Sequence, residues 1–275
     1  MKKCQTAITL FDTVFLLVLS ISGSIGGVFG DVIYYFAFAI PIFLAFLYVK
    51  KSKDEEAQPV LLKALPDGKS IGFSLPLIAP FIAIVFLISF LTSLILTSLG
   101  FSETTDVSGN LIAVIAKHAL LPAFFEEALF RFVPLMLLIP YSRKNALFVS
   151  SIMFAAVHCS LFQIPYALFA SFMLSFIAIA TGSIFPSIII HLLNNLASIF
   201  YMRYSEVEQF KLIFLISLAV LSVISLVFIV LRREKYKEVF LEIKNDKCNV
   251  EFTLSATMFV AMTLVIGALN LWMSL

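Results

Sequence analysis

The stretch LLPAFFEEALFRFVPLMLLI, residues 120–139, decides how the chain is interpreted. It is apolar throughout apart from Glu126, Glu127 and Arg131. A helix of about twenty apolar residues spans the hydrocarbon core of a bilayer. An ionised carboxylate at that depth costs roughly 2.5–3.5 kcal/mol on insertion scales. Two adjacent glutamates in such a run therefore indicate a functional site rather than a surface that faces lipid.

The rest of the chain has the same apolar character. Of its 275 residues, 61% are hydrophobic and only 13% are charged, and the mean hydropathy is +1.05. A soluble domain is closer to half apolar and a quarter charged. The apolar segments are 7–29, 32–49, 72–100, 110–140, 145–161, 164–182, 186–202, 209–231 and 253–273. We therefore predict an all-α fold, a polytopic transmembrane helical bundle with eight to nine membrane segments.

Positive charge is distributed unevenly between the loops. Fifteen of the nineteen lysines and arginines fall at the N-terminus, within 50–69, at 143–144 and within 232–247. These places share one side of the membrane if nine segments each cross it once, and the acidic loop 101–110 lies on the other side. Cytosolic loops carry an excess of Lys and Arg. We therefore expect an integral protein of a bacterial plasma membrane with its N-terminus in the cytosol.

Polar side chains within the apolar segments concentrate in the middle of the chain. They are Glu126, Glu127, Arg131, His158, His191, Asn194 and Asn195. Glu127 and Arg131 are four residues apart, so they share a helix face and can form an ion pair. Glu126 then points about 100° away from that pair. The two glutamates are thus expected to have different roles.

Four of these side chains can meet if their helices pack together. His191 and Asn195 share a helix face, and we expect them to surround one cavity of about one water's width with Glu126 and His158. Water held between Glu126 and His158 would attack a carbonyl carbon. Hydrogen bonds from His191 and Asn195 would stabilise the oxyanion. Polar residues can also simply join helices, at roughly 0.6–2 kcal/mol a pair, but the clustering favours a functional site.

The expected depths of the two histidines disagree. His158 lies near the outer end of segment 145–161, whereas His191 lies about five residues from the inner end of segment 186–202. At 1.5 Å per residue, this separates them by on the order of 15 Å. Convergence requires tilted helices, a short or re-entrant element within 163–190, or a topology with eight spans.

The outer end of the fourth segment carries two more basic residues, Lys117 and His118. We expect them at the membrane interface, with the ammonium group of Lys117 reaching towards water. If Pro122 breaks the segment, residues 110–121 form an interfacial helix. Glu126 would then lie in the outer half of the membrane.

Three motifs occur in order along the middle of the chain: Glu126-Glu127-x-x-x-Arg131, Phe154-x-x-x-His158 and His191-x-x-x-Asn195. Together they resemble the motifs of the CPBP family, also called Abi. This family includes the type II CAAX prenyl endoproteases and bacterial relatives, some linked to bacteriocin processing or immunity. The resemblance is confined to about residues 110–203, a third of the chain. Each motif alone is weak, but all three in order within membrane helices are specific.

The resemblance implies an intramembrane peptidase. Carried over by motif, the catalytic residues are Glu126 and His158, which activate water, and His191 and Asn195, which form the oxyanion site, with Glu127 and Arg131 in support. The family is often labelled as metalloproteases, whereas a metal-free glutamate mechanism is better supported for its eukaryotic members. We expect no cofactor. Zinc remains the alternative, with Glu126, His158 and His191 as ligands and an open position for water.

The resemblance also divides the chain. Residues 1–109 and 204–275 are expected to form N-terminal and C-terminal transmembrane helices around a CPBP/CAAX protease-like catalytic core, residues 110–203. We predict an intramembrane endopeptidase, CAAX prenyl protease 2-like, that hydrolyses a peptide bond of a membrane-associated protein or peptide. Its expected surroundings are the lipid bilayer, with no nucleic-acid partner.

Two other functions fit the same sequence. The first is a non-enzymatic membrane immunity or scaffold protein on the same fold. The second is a transporter that couples protons or substrate through the glutamates and Arg131. A transporter of this kind usually has inverted repeats, and the sequence shows none. The sequence therefore favours the peptidase over the other two functions.

Overall fold

A computed structural model describes residues 1–25, 27–51, 62, 65–103, 107–246 and 252–273. Three of the lysines that predict the orientation, Lys53, Lys63 and Lys247, lie outside these ranges. Within them, helices account for nearly all regular structure and there is no strand. The predicted polytopic helical bundle is confirmed.

The helices are, in chain order, α1 (Lys2–Ile25), α2 (Gly27–Lys51), α3 (Gly68–Ser74), α4 (Ile78–Ser98), α5 (Leu111–Ile115), α6 (Leu121–Glu127), α7 (Val133–Leu138), α8 (Arg143–Val157), α9 (Ile164–Thr181), α10 (Phe185–Tyr204), α11 (Glu208–Leu231), α12 (Arg233–Lys244) and α13 (Leu254–Met273). A 3₁₀ turn, Leu75–Leu77, joins α3 to α4. Two π-helical turns join α5, α6 and α7 into one helical stretch, 111–138.

Seven helical segments in the described part of the chain are long and apolar enough to cross a membrane, by length and composition. They are Lys2–Ser22, Val32–Lys51, Gly68–Ser98, Ile164–Thr181, Phe185–Tyr204, Glu208–Leu231 and Leu254–Met273. The two further segments expected from the sequence, 110–140 and 145–161, form helices outside this set. These two segments are consecutive. The loops after them therefore lie on the same side of the membrane whether both segments cross it or both turn back.

α8 and α9 pack closely through small side chains. Ala146 and Ser150 of α8 and Ser171 and Ser175 of α9 are completely buried. The hydroxyl oxygens of Ser150 and Ser175 lie 3.0 Å apart. In a membrane, helices associate through such close packing and hydrogen bonds, since lipid is as apolar as their side chains. This contact fixes α9 against α8, the helix that carries the second sequence motif.

α9 lies between two apolar cores. One core joins α1, α2, α7 and α8 around Phe38 and Phe130. The other joins α3, α4, α9 and α10 around Phe81 and Leu174. Tyr166, at the start of α9, packs against both cores. The polar residues of the three motifs gather where these two cores meet.

The turn from α9 to α10 sets the start of the third motif. α9 ends at Gly182, whose φ of 63° is a left-handed conformation that side chains with a Cβ rarely adopt. Pro186 lies in the first turn of α10, where the missing N–H has no partner to lose. The chain therefore reverses in a few residues, and α10 carries His191 back into the bundle.

Candidate active site

The glutamates lie between two π turns, Ala116–Leu120 and Ala128–Phe132. Pro122 and Pro134 each follow one of these turns by two residues. Proline has no N–H, and its ring clashes with the carbonyl four residues earlier. A π turn opens the helix at that carbonyl, so the helical stretch 111–138 continues through Pro122 rather than breaking there. An interfacial helix that stops before Pro122 is therefore not formed.

The second π turn leaves the carbonyl of Phe130 available to accept a hydrogen bond from another helix. Phe130 is the residue four before Pro134, so its carbonyl has no helical N–H at that position. Ser150 of α8 donates its hydroxyl to this carbonyl at 2.5 Å. Polar backbone groups at membrane depth need such partners. The bond ties α8, which ends at His158, to the helix that carries the glutamates.

Glu127 and Arg131 form the expected ion pair. The Arg131 Nη1 atom lies 3.2 Å from the Glu127 Oε1 atom, and both side chains are completely buried. Despite this short distance, the Arg131 nitrogens have no hydrogen-bond partner among the described residues. The contact is therefore an ion pair without a hydrogen bond. The guanidinium instead lies 3.8 Å from the centre of the Phe154 ring, a favourable cation–π distance.

Glu127 has a second partner that the sequence did not predict. Its Oε1 atom lies 2.9 Å from the Nδ1 atom of His191. A carboxylate can only accept, so Nδ1 carries the proton and donates. Nε2, on the other side of the ring, points towards Glu126 and lies 3.8 Å from its Oε2 atom. Glu127 thus fixes which edge of His191 faces Glu126.

Glu126 differs from Glu127 in its exposure. The Glu126 side chain is 19% exposed, whereas that of Glu127 is fully buried. The expected asymmetry of the pair is therefore present in the geometry. Glu126 can meet a molecule that enters the site, and Glu127 can act only through the residues around it.

His158 is the C-cap residue of α8 and has a fixed orientation. Its Nδ1 atom lies 2.8 Å from the carbonyl oxygen of Phe154. Since a carbonyl only accepts, Nδ1 carries the proton and Nε2 is the basic nitrogen of the neutral ring. This orientation leaves Nε2 available as an acceptor in the cavity that His158 lines.

The short length of α8 removes the conflict of depth. α8 has 15 residues, about 22 Å at 1.5 Å per residue, less than the roughly 30 Å of a hydrocarbon core. A helix of this length need not carry His158 to the far side of a membrane. The Phe154 ring, 4.7 Å from the His158 ring and 6.1 Å from the His191 ring, lies level with both.

The amides of α10 lie beside each other. Asn194 is buried, and its Nδ2 atom lies 3.5 Å from the Oδ1 atom of Asn195. This contact is weak. It uses the oxygen of Asn195 and leaves the Nδ2 donor of Asn195 for the cavity. The Oδ1 atom of Asn194 is buried without a hydrogen-bond partner within the described residues.

One cavity of about 240 Å³ brings the predicted catalytic residues together. Glu126, His158, His191 and Asn195 all line it. Its volume is several times the roughly 30 Å³ that a water molecule occupies in the liquid. It is therefore larger than the single-water cavity expected from the sequence and has room for part of a peptide.

Several lining residues were not predicted from the sequence. Tyr34 of α2, Tyr166 of α9 and the buried Asn194 complete the walls, and Lys117 and His118 lie at the exposed side. The tyrosines belong to helices without any of the three motifs, so no spacing rule identifies them. Lys117 and His118 were expected at the membrane interface, and the structure places them in the cavity wall.

The donors Glu126, His158 and His191 do not fit a metal site as they are arranged. In the part of the chain that the structure describes, no group of three His, Cys, Asp or Glu side chains could hold a metal ion. We derive no catalytic step through zinc.

Comparison with known proteins gives one match. Residues 108–197 match the family model described as type II CAAX prenyl endopeptidase Rce1-like. The match covers the same third of the chain as the three motifs, and the resemblance found in the sequence is confirmed. At the level of the family, it supports an intramembrane protease of the CAAX type. The chain matches no curated protein and no solved structure.

Proposed function

We propose that the protein is an intramembrane endopeptidase that hydrolyses a peptide bond of a membrane-associated protein or peptide. The observation that carries this proposal is the single cavity lined by Glu126, His158, His191 and Asn195. A base, a second proton acceptor and two hydrogen-bond donors surround a space that can admit a peptide. These are the groups that hydrolysis of an amide requires.

Glu126 is the proposed general base. Water in the cavity gives a proton to the Glu126 carboxylate and hydrogen-bonds to Nε2 of His158 while its oxygen attacks the peptide carbonyl carbon. The tetrahedral intermediate then breaks the C–N bond. Glu126 returns the proton to the departing nitrogen, which leaves as an amine. The partial exposure of Glu126 supports this role, since the base must reach the entering water.

His191 and Asn195 are the proposed oxyanion donors. Nδ1 of His191 is already bonded to Glu127, so a proton on Nε2 makes the ring cationic. Two carboxylates, Glu126 and Glu127, then face two cations, Arg131 and His191. Charges buried at membrane depth are stable only when they are balanced in this way. The Nε2–H group of His191 and the Nδ2 group of Asn195 would bind the oxyanion.

Glu127 and Arg131 are proposed to orient the site rather than to touch the substrate. Glu127 accepts from His191, and Arg131 neutralises Glu127. A carboxylate behind a histidine holds its tautomer and stabilises its protonated form, as in the catalytic triads of soluble hydrolases. The N-terminus is proposed to lie in the cytosol, in agreement with the lysine and arginine distribution.

Mass spectrometry of membrane peptides tests the proposal directly. Peptides are compared between cells with wild-type protein and cells with Glu126→Gln, His158→Ala or Glu208→Gln. Glu208 is the matched control, because it is a glutamate that is 80% exposed at the start of α11. We expect one new peptide terminus in wild-type and Glu208→Gln cells that is missing in the other two.

The same variants separate the peptidase from a non-enzymatic immunity or scaffold protein. A scaffold keeps its phenotype when Glu126→Gln and His158→Ala are expressed at normal levels, whereas a peptidase loses it. Purified Glu126→Gln protein that cleaves the identified peptide at the wild-type rate would falsify the mechanism.

A further inference from the structure

The turn that carries His158 has an unusual backbone. This turn, residues 158–163 and here called the His158 turn, connects α8 to α9. Cys159 has a φ of 48°, the only positive φ of a non-glycine residue among the described residues. This conformation is unfavourable for a residue with a Cβ, and it persists only when the surroundings hold it in place. Something outside the turn must therefore fix Cys159.

The C-terminal helix α13 supplies one set of contacts. Asn270 donates its Nδ2 group to the carbonyl oxygen of Cys159 at 3.1 Å. One helical turn earlier, Gly267 faces the same group: a Cβ there would lie in van der Waals contact, at 3.4 Å, with the carbonyl carbon and oxygen of Cys159. Residues three apart share a helix face. The same face of α13 thus both bonds to Cys159 and packs against it.

The loop that follows α4 supplies a second set of contacts to the His158 turn, through Glu103. Glu103 accepts hydrogen bonds from the Ser160 hydroxyl at 2.8 Å and from the Gln163 side-chain amide at 3.3 Å. These contacts hold the side chains of Ser160 and Gln163, whereas α13 holds the peptide group between Cys159 and Ser160. The N–H of Cys159 bonds to the carbonyl oxygen of Ala156 in α8, and α13 adds long-range contacts to the carbonyl of Cys159.

We propose that Gly267 and Asn270 of α13 are positioning residues for His158: by holding the carbonyl of Cys159, they fix the direction in which His158 presents Nε2 to the cavity. This inference rests on the proposed function. Both residues lie far outside 108–197, the part of the chain that matches the family. The catalytic geometry thus depends on a helix that the family match does not include.

Displacement of His158 should affect catalysis more than binding. A shift of about 1 Å in a catalytic group can cost about a hundredfold in rate. The substrate contacts on the other walls of the cavity remain in place. We therefore expect Asn270→Leu and Gly267→Val to lower kcat and to leave KM nearly unchanged.

Cysteine labelling tests the structural part without any need for activity. In a Cys4→Ala, Cys248→Ala background, Cys159 is the only thiol, and its alkylation by N-ethylmaleimide reports opening of the His158 turn. We expect Asn270→Leu to raise the rate about fivefold, the change that corresponds to the loss of one hydrogen bond. Gly267→Val should also raise the rate, because its side chain would press on the carbonyl of Cys159. Ala268→Val is the control, because it places a valine at the exposed neighbouring position.

Kinetics test the catalytic part. The substrate is an internally quenched version of the peptide whose terminus depends on Glu126. If Asn270 acts through His158, Asn270→Leu lowers kcat in the wild-type background but changes nothing further in a His158→Ala background. Equal losses in both backgrounds, or faster labelling with an undiminished kcat, would overturn the proposal.

The two proposals fail in different ways. If the wild-type protein cleaves nothing, the proposed function fails, and the labelling rates still decide whether α13 holds the His158 turn. If cleavage is normal but all variants label at the wild-type rate, the proposed function stands and the positioning role of α13 is wrong.

Discussion

The helical stretch 111–138 and α11 have similar apolar compositions but opposite relations to the bundle. Each contains an ion pair. In α11, Lys211 and Glu208 lie 3.7 Å apart, with side chains 41% and 80% exposed. In the stretch 111–138, Glu127 and Arg131 lie 3.2 Å apart and are fully buried. No residue of α11 is buried, and the structure describes all of it.

The difference shows that the energetic contribution of a charged pair depends on its burial and not on the composition of the helix that carries it. The pair in α11 is screened by its surroundings and contributes about 0–1 kcal/mol. The pair in 111–138 cannot lose one member without leaving an uncompensated charge. It is also joined to a third residue, His191. α11 is therefore an exposed helix at the edge of the bundle, whereas the stretch 111–138 carries buried charges that belong to a polar site.

The largest expected effect is that of Glu126→Gln. The substituted glutamine would keep the shape of the side chain but could not accept the proton from water. We expect turnover to fall by about a thousandfold. The unfolding temperature should fall by only a few degrees, because Glu126 is partly exposed and Glu127 remains as the carboxylate beside Arg131 and His191. Turnover and thermal unfolding of purified protein in detergent measure both. A comparable loss in Glu208→Gln would contradict the distinction between the two helices.

Arg131→Met should cause the largest loss of stability. It leaves two carboxylates, Glu126 and Glu127, facing His191 without the second cation, and the loss of one partner of a buried pair costs about 3–5 kcal/mol. Lys211→Met in α11 is the matched control and should cost about 0–1 kcal/mol. Equilibrium unfolding measures the difference. The double variant Glu127→Gln/Arg131→Met should recover part of the stability, and a failure to recover any would count against the buried pair as the cause.

Asn195→Leu and Asn194→Leu should show which of the two neighbouring amides of α10 binds the oxyanion. Loss of one oxyanion donor typically lowers kcat by about a hundredfold to a thousandfold. Asn194→Leu should preserve stability, because the Oδ1 atom of Asn194 is already buried without a hydrogen-bond partner among the described residues. We would measure kcat and unfolding temperature for both variants. The opposite ranking, with kcat lost only in Asn194→Leu, would assign the oxyanion contact to Asn194.

The smallest expected effect is that of metal removal. Glu126, His158 and His191 do not form a group that could hold a metal ion. We therefore expect dialysis against a chelator to leave turnover unchanged within error. A loss of turnover that added Zn²⁺ restores would support the alternative in which these three residues are ligands.

Local patterns in the sequence predicted part of this site. The spacing of four residues between Glu127 and Arg131 predicted their ion pair. The three motifs identified four of the residues that line the cavity, Glu126, His158, His191 and Asn195. Long-range contacts had no such signal. The bond between Glu127 and His191 joins residues 64 apart, and the contact of Asn270 with Cys159 joins residues 111 apart.

The depth of the site also escaped local rules. An apolar run such as 145–161 predicts a full span, but the helix within it ends after 15 residues. Its end depends on the His158 turn, which α13 and Glu103 hold from outside. Likewise, Pro122 alone predicts a break. The helix continues because the preceding turn widens, and no spacing of apolar residues reports that.

Each π turn has a consequence for the evolution of the helical stretch 111–138. A π turn is equivalent to a single inserted residue in an α-helix. Deletion of one residue from Ala116–Leu120 would rotate the upstream segment by about 100° relative to the glutamates and bring the Pro122 ring against the carbonyl four residues earlier. Lys117 and His118 would turn away from the cavity, while Glu126 would keep its relation to Arg131. The place of Lys117 and His118 in the cavity wall therefore depends more on the length of this turn than on the identity of its apolar side chains.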